Sequence, residues 1–228
     1  MSLKEHAEVE KEKLKKMSGR DRLWYIWEYY KFHIAAAIVV IAMLSVVGNS
    51  LYRQTFTTRL AIAVINDRSG ETSHLADLEN DLKEALNCGK KDMIEINTGL
   101  YATYDNSVSQ YGYATLAKIS ALVASKGLDV MIADQASIDH YGEIDAFDNL
   151  KELLPEDLYA KVEPFIYQAV RSDGTAIPAA VSLESTRFSE VSGVTIDPPY
   201  LAVVSGSPRK EAAVEMIRYL LSLIHISE

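Results

Sequence analysis

Hydrophobic residues divide the chain into one long apolar run near the N-terminus and a region of shorter, alternating apolar segments. Residues 34–47 read IAAAIVVIAMLSVV, and residues 34–51 contain no charged side chain. A helix needs roughly 20 mostly apolar residues to cross the hydrocarbon core of a bilayer. We therefore predict a transmembrane helix over residues 34–52.

The residues on either side of this run favour a membrane span over a buried core helix. Aromatic side chains suited to the headgroup region flank the run: Trp24, Tyr25, Trp27, Tyr29, Tyr30 and Phe32 before it, and Tyr52 and Phe56 after it. Lys and Arg are concentrated on the N-terminal side, which the positive-inside rule places in the cytoplasm. We expect an uncleaved signal anchor, because the charged leader of residues 1–33 is longer than the basic region of a signal peptide. Cleavage near residues 48–50 is the alternative.

The leader has two parts. Residues 4–16 alternate acidic and basic side chains, which is typical of a solvated helix. Residues 20–32 are amphipathic and aromatic, so we predict that they lie along the inner membrane surface before the chain turns into the bilayer. Residues 1–33 are thus predicted to form a cytoplasmic charged and amphipathic segment, with the C-terminal domain on the extracellular side of the cell membrane.

From residue 58 to residue 224, short apolar runs alternate with segments of helical periodicity. We predict strands over residues 60–65, 93–96, 128–133, 175–183 and 200–204. Helices are predicted from a cap at Ser73 to Gly89, and over residues 110–125, 137–141, 156–170 and 208–223. This alternation predicts a three-layer α/β domain with a mostly parallel sheet. Residues 222–228 carry no stop signal and resemble translated sequencing-adapter read-through, so we assign no function to them.

Charge and cysteine content narrow the function classes. The net charge is −9, and the region from Arg53 to Glu228 holds 15 Lys+Arg against 26 Asp+Glu, a net charge of −11. An acidic domain repels nucleic-acid phosphates, so we expect no nucleic-acid partner. Cys88 is the single cysteine, which excludes an intramolecular disulfide and a cysteine-based metal cluster. We predict no cofactor and no metal site.

Polar residues follow the predicted strands. In open α/β sheets, ligands bind beyond the carboxyl ends of the strands. This rule selects Asn66, Asp67, Arg68 and Ser69 after the first strand, Asn97, Thr98 and Gly99 after the second, Asp134 and Gln135 after the third, and Ser182, Glu184 and Ser185 after the fourth. We predict a polar rim for a small solute or peptide, near which Asp67 and Asp134 converge. The alternative is ordinary loop polarity and helix capping, to which Asp134 and Ser137 are suited.

Four tyrosines lie in the loop-rich stretch LYATYDNSVSQYGY, namely Tyr101, Tyr104, Tyr111 and Tyr113. Tyrosine offers rigid contact area with a polar tip, as binding surfaces require. We therefore predict that this segment contacts the ligand or partner. The alternative is a set of half-buried loop anchors.

The sequence lacks signatures of catalysis. The chain has no Walker loop and no GxSxG, HExxH or GxGxxG motif. His74 and His140 are far apart in sequence, and the neighbours Asp139 and His140 point in different directions on a helix. A cell-wall hydrolase would need convergent carboxylates, which the pattern does not place. We therefore predict that the protein is not an enzyme.

Three segments together resemble the bacterial extracellular solute-binding proteins of type 2. They are residues 127–134 (GLDVMIAD) with the following residues 135–154, residues 173–178 (DGTAIP), and residues 200–204 (YLAVV) with residues 207–221. The resemblance implies a periplasmic-binding-protein-like α/β lobe whose strand ends face a ligand cleft.

Two features depart from that family. Only 21 residues separate Pro178 from Tyr200, where the family usually inserts most of a second lobe. A transmembrane anchor also takes the place of the family's lipidated cysteine. The resemblance therefore implies a membrane-anchored relative that is reduced to roughly a single lobe.

These observations lead to one hypothesis and one alternative. We predict a non-enzymatic, membrane-anchored extracytoplasmic binding module for a small solute or peptide, held in the lipid bilayer by its helix. The alternative is a structural or docking partner of another envelope protein, with no small-molecule ligand.

Overall fold

The computed structural model describes residues 18–53, 55–70, 74–104 and 109–222. The chain divides into two compact units, Met1–Thr55 and Phe56–Glu228. Three predictions lie outside the described residues: the helix over residues 4–16, the helix cap at Ser73, and the tail after residue 222.

One long helix, α1, spans Gly19–Arg53 in the first unit. Its stretch Lys31–Tyr52 has a mean hydropathy of 2.3, and its most apolar part is not buried. By length and composition this helix is able to cross a membrane, although a signal sequence shares these properties. Residues 20–32, which are predicted to lie along the inner membrane surface, belong to the same continuous helix as the apolar stretch. Residues 20–47 contain neither proline nor glycine, so nothing interrupts the helix.

The second unit is built on a six-stranded sheet. Its strands are β1 (Thr57–Ile65), β2 (Asp92–Leu100), β3 (Val130–Ala133), β4 (Ile166–Val170), β5 (Ala176–Ser182) and β6 (Tyr200–Val203). Their order across the sheet is β2-β1-β3-β6-β5-β4. The five predicted strands correspond to β1, β2, β3, β5 and β6, whereas the sequence pattern predicts no strand at β4.

Seven helices accompany the sheet within the described residues of the second unit. They are α2 (Leu75–Ala85), α3 (Gln110–Ala124), α4 (Gln135–Glu143), α5 (Leu150–Leu153), α6 (Glu156–Val162), α7 (Phe188–Ser192) and α8 (Lys210–Leu221). Helices α2, α3, α4 and α8 lie where helical periodicity predicts them. The short helices α5 and α7 have too few turns to show that periodicity.

The sheet is mixed, so the prediction of a mostly parallel sheet is wrong. β1 is parallel to β2 and β3, but β6 is antiparallel to β3 and β5, and β4 is antiparallel to β5. A tight turn reverses the chain between β4 and β5, where the N–H of Arg171 bonds to the carbonyl of Thr175. Gly174 accommodates the positive φ of 83° that this turn needs. β6 is apolar because both of its faces are buried, and this composition does not indicate whether the strand is parallel or antiparallel to its neighbours.

The predicted helix over residues 156–170 is wrong in its second half. Helix α6 ends at Val162, a 3₁₀ turn spans Glu163–Phe165, and β4 follows directly. Pro164 lacks an N–H and cannot continue an α-helix in its interior. The residues after it pair with β5, so tertiary pairing decides their conformation.

Helices cover both faces of the sheet, which gives the domain the predicted three layers. On one face, Leu60, Ile62 and Val64 of β1 pack in a core with α2 and α8. On the other face, Ala63 and Ile65 pack in a core with α3 and α4. Successive side chains of a strand point to opposite faces, so β1 serves both cores.

Candidate functional site

Four strands end at one edge of the sheet. β5 runs in the direction of β1, β2 and β3, because β3 and β5 are both antiparallel to β6. Beside the carboxyl ends of the first three lies an open groove with a volume of about 590 Å³. We call it the tyrosine groove; its polar and aromatic lining includes Asn66, Arg68, Tyr101, Tyr104, Tyr111 and Asp134.

The tyrosine groove gathers residues from both sequence predictions. Asn66 and Asp134 come from the strand-end rule, and Tyr101, Tyr104 and Tyr111 come from the tyrosine stretch. The parallel direction of β1, β2 and β3 explains the convergence, because it brings the ends of these strands to one edge.

Other predicted residues are not part of the groove lining: Asp67, Asn97, Thr98, Gln135 and Tyr113. Asn97 and Thr98 lie within β2 and not after it, because β2 continues until Leu100 pairs with Ile65. Tyr113 is 64% exposed on α3.

Asn66 joins three segments at the base of the groove. Its side-chain Nδ2 donates to the carbonyl of Ala102 at 3.0 Å and to Oδ2 of Asp134 at 2.9 Å. Its Oδ1 accepts from the N–H of Ala102 at 2.9 Å. The backbone φ of Asn66 is 61°, a left-handed conformation that asparagine tolerates better than most residues. Asn66 therefore fixes the end of β1 to the segment after β2 and to the start of α4.

Asp134 caps α4 and uses both carboxylate oxygens within the protein. Oδ1 accepts from the backbone N–H of Ser137 at 3.1 Å and from its hydroxyl at 2.5 Å. Oδ2 accepts from Asn66. Capping, the alternative given for this residue, is thus a role that Asp134 performs, and its carboxylate positions the groove wall.

Asp67 anchors the loop that carries Arg68. Its Oδ1 accepts from the N–H groups of Ser69 at 2.9 Å and Thr195 at 2.8 Å. The N–H of Arg68 donates to the carbonyl of Thr195 at 2.9 Å. These bonds hold the backbone on both sides of Arg68, so the base of its side chain is fixed at the groove.

Tyr104 forms an immobilised wall of the groove. Its hydroxyl donates to Oγ of Ser137 at 3.0 Å, and its ring stacks on His140 with centroids 4.2 Å apart. Burial raises the pKa of Tyr104 well above its ordinary value, an effect that the bond to Ser137 opposes. Tyr104 is therefore a neutral side chain with a fixed orientation.

Tyr101 and Tyr111 form a more exposed wall. Their ring centroids are 6.2 Å apart, and the rings are tilted by 44°. The hydroxyl of Tyr111 donates to the carbonyl of Gly99, which fixes its ring near the end of β2. The two residues are 44% and 56% exposed, so aromatic surface is available for contact.

Ser109 and Gly112 also line the groove, although neither the strand-end rule nor the tyrosine stretch predicts them. Ser109 is the N-cap of α3, and its Oγ accepts from the N–H of Gly112 at 3.1 Å. A serine directly before a helical pattern is a capping signal, and that signal would have located it.

A second aromatic pair lies farther along the same edge. The rings of Tyr167 and Tyr200 have centroids 4.7 Å apart, and the hydroxyl of Tyr167 donates to Oδ1 of Asp139 at 2.7 Å. Burial, followed by the interaction with Asp139, raises the pKa of Tyr167 to about 12. Burial and then the charge of Glu184 raise the pKa of Tyr200. Glu184, which the strand-end rule selects, thus lies near Tyr200 and is not part of the described groove lining.

A larger cavity of about 750 Å³ lies at the opposite edge of the sheet, beside the start of β1 and of α8. Its cations are largely engaged: Nε of Arg209 is 2.7 Å from the buried carboxylate of Asp129, and Nζ of Lys210 is 2.6 Å from Asp148. None of the described residues that line it is aromatic. We therefore place the candidate site in the tyrosine groove. Within the described residues, no group of three or more His, Cys, Asp and Glu side chains is placed to hold a metal ion.

Comparisons with known proteins add a distant structural similarity. No protein-family model matches the chain, and no curated protein matches it in sequence. Among solved structures, the chain is similar to an extracellular solute-binding protein family 1 from Alicyclobacillus acidocaldarius subsp. acidocaldarius DSM 446. The TM-score is 0.31 and the identity 20%, over 56% of this chain and 28% of the other. A similarity of this extent carries no argument about function, which rests on the groove.

Proposed function

We propose that the chain is a membrane-anchored, non-enzymatic binding module whose tyrosine groove captures a small solute or short peptide outside the cell. One observation carries this proposal: residues selected separately by the strand-end rule and by the tyrosine stretch line one groove of about 590 Å³. Small-ligand sites typically have volumes of about 300–1,000 Å³ and combine aromatic walls with a few polar groups.

The fixed orientation of the lining supports a binding role. Hydrogen bonds hold the hydroxyls of Tyr104 and Tyr111, and Asn66 ties the ends of β1 and β2 together. A ligand that enters such a groove orders few side chains, so less binding free energy is lost to conformational entropy.

Anchoring is proposed from the properties of α1. The stretch Lys31–Tyr52 has the length and hydropathy of a membrane span. Trp24 and Trp27, which are 67% and 64% exposed, suit the headgroup region. The excess of basic residues before the span favours a cytoplasmic N-terminus and an extracytoplasmic second unit.

Docking to another envelope protein is the second candidate, and one observation favours it. Tyr113 is 64% exposed and lies outside the groove, on the same helix as Tyr111. Exposed tyrosines are common at the centres of protein interfaces. In this case Tyr113 would contribute to binding as much as the groove residues.

A thermal-unfolding screen of the full chain in detergent micelles separates the two candidates. Amino acids, sugars and short peptides are added to the wild type and to the variants Tyr111→Ala and Tyr113→Ala. We expect a ligand at about a hundredfold excess over its Kd to stabilise the wild type by about 2.7 kcal/mol. Tyr111→Ala should lose this stabilisation, and Tyr113→Ala should keep it. A panel that stabilises nothing contradicts solute binding and leaves docking.

A further inference from the structure

Two of the described lining residues of the groove are charged, and they differ in whether their side chains already have hydrogen-bond partners. The carboxylate of Asp134 accepts three hydrogen bonds, from Nδ2 of Asn66 and from the N–H and hydroxyl of Ser137. The guanidinium of Arg68 forms no hydrogen bond or ion pair within the described part of the chain. Of these two groups, the guanidinium of Arg68 is therefore the one that keeps its hydrogen-bond donors for a ligand.

The start of α3 adds to this positive character. Ser109 and Gly112 place the N-terminus of this helix, which runs Gln110–Ala124, against the groove. Its cap is an uncharged serine, and its first turn holds no acidic residue. Within the described residues, no acidic side chain at the cap or in the first turn offsets the partial positive charge of this helix end, in a region with a net charge of −11 from Arg53 onward.

We propose that the groove selects ligands in which a carboxylate lies beside a flat apolar portion. The carboxylate pairs with Arg68, whose planar guanidinium matches the two carboxylate oxygens. The flat portion contacts the exposed rings of Tyr101 and Tyr111. This inference rests on the proposed function, because it assigns a ligand class to the same groove.

The charge of the groove favours a monoanion over a phosphate. Arg68 supplies a single unpaired cation among the described lining residues. It matches one carboxylate charge, whereas a dianionic phosphate would keep excess charge in an acidic domain. Two chemical sources present such a carboxylate: the free C-terminus of a short peptide and a uronic acid sugar.

Matched probe pairs test this inference on the full chain in detergent micelles. The first pair is a phenylalanine-terminated tripeptide with a free C-terminus and the same peptide with a C-terminal amide. The second pair is glucuronic acid and glucose, and inorganic phosphate is a separate probe. Affinities are measured by calorimetry for the wild type, Arg68→Gln and Arg59→Gln. Arg59→Gln is the control, because it removes the same charge from the early part of β1, at the opposite edge.

We expect at least one free acid to bind the wild type about ten- to a hundredfold more tightly than its neutral counterpart, as loss of a charged hydrogen bond implies. Arg68→Gln should remove that preference, and Arg59→Gln should retain it. Preference for the peptide acid alone identifies a peptide source, and preference for glucuronic acid alone identifies a sugar source.

Two results would overturn the inference. One is equal binding of the acid and neutral forms, with no effect of Arg68→Gln. This result would mean that the groove binds ligands through its aromatic surface without pairing a charge. The other is phosphate binding that equals the best acid and depends on Arg68. If none of the probes and none of the wider panel binds, the proposed function itself fails.

Discussion

Nδ2 of Asn66 donates a 2.9 Å hydrogen bond to Oδ2 of Asp134, across 68 positions of sequence. The bond connects the residue after β1 to the residue that caps α4, and both line the tyrosine groove. The shape of one groove wall therefore depends on a contact between two strand ends.

A double-mutant cycle measures this contact. Asp134→Ala should lower the free energy of unfolding by about 1–2 kcal/mol, because α4 loses its cap and Asn66 loses a partner. Asn66→Ala should cost more, because it also removes the bonds to Ala102 and places an alanine at a φ of 61°. The two changes should be coupled by roughly 0.5–1.5 kcal/mol. Asn66→Gly is the control, because glycine keeps the φ of 61° without strain and isolates the hydrogen bonds. Strictly additive costs in denaturant unfolding would show that the pair does not interact.

The sequence pattern selects Asn66 and Asp134, but it does not show that their side chains already form hydrogen bonds within the protein. The strand-end rule found them because β1 and β3 are parallel and adjacent, so their carboxyl ends meet. The same rule predicts Asp67 and Asp134 as ligand contacts. In the structure, Oδ2 of Asp134 accepts a hydrogen bond from a residue 68 positions away, and Oδ1 of Asp67 accepts one from Thr195, 128 positions away. Hydrogen bonds over such distances are not encoded in local composition.

Strand boundaries limited the prediction in a different way. Asn97, Thr98 and Gly99 have the composition of a turn, yet they continue β2. Pairing with β1, up to Ile65 opposite Leu100, extends the strand past them. Tertiary pairing overrides local preference in sheets, which also explains why the sequence pattern predicts a helix where β4 forms.

Alkaline pH should reveal the buried tyrosine next to the groove. Burial raises the pKa of Tyr141 from 10.0 to about 12. Between these values the unfolded chain loses the proton and the folded chain keeps it, so the free energy of unfolding falls as the pH rises. Tyr141→Phe removes this contribution. Between neutral pH and about pH 11, the free energy of unfolding of this variant should therefore rise relative to that of the wild type by on the order of 1 kcal/mol.

The matched control for that experiment is Tyr113→Phe, at an exposed position. Near neutral pH, Tyr141→Phe should cost little, because its buried hydroxyl forms no well-directed hydrogen bond within the described residues. Parallel pH profiles of the wild type and Tyr141→Phe, measured by denaturant unfolding, would contradict the prediction.

Protease accessibility tests the proposed anchoring and orientation. Protease added to intact spheroplasts should remove the mass beyond Arg53 and leave a protected N-terminal fragment, because the second unit is proposed to lie outside the cell. Permeabilised cells serve as the control, in which the N-terminal segment should also be cut. Protection of the large C-terminal unit in intact spheroplasts would reverse the orientation and exclude an extracytoplasmic binding role.

The most direct test of the groove is amide hydrogen exchange of the full chain. Exchange is measured without ligand and with the ligand that stabilises the chain most. Binding should slow exchange at residues 100–104, 110–112 and 134–137, which border the tyrosine groove. Exchange at residues 207–212, beside the larger cavity at the opposite edge, should not change. Protection confined to residues 207–212, or unchanged exchange in all three groove segments, would contradict the account.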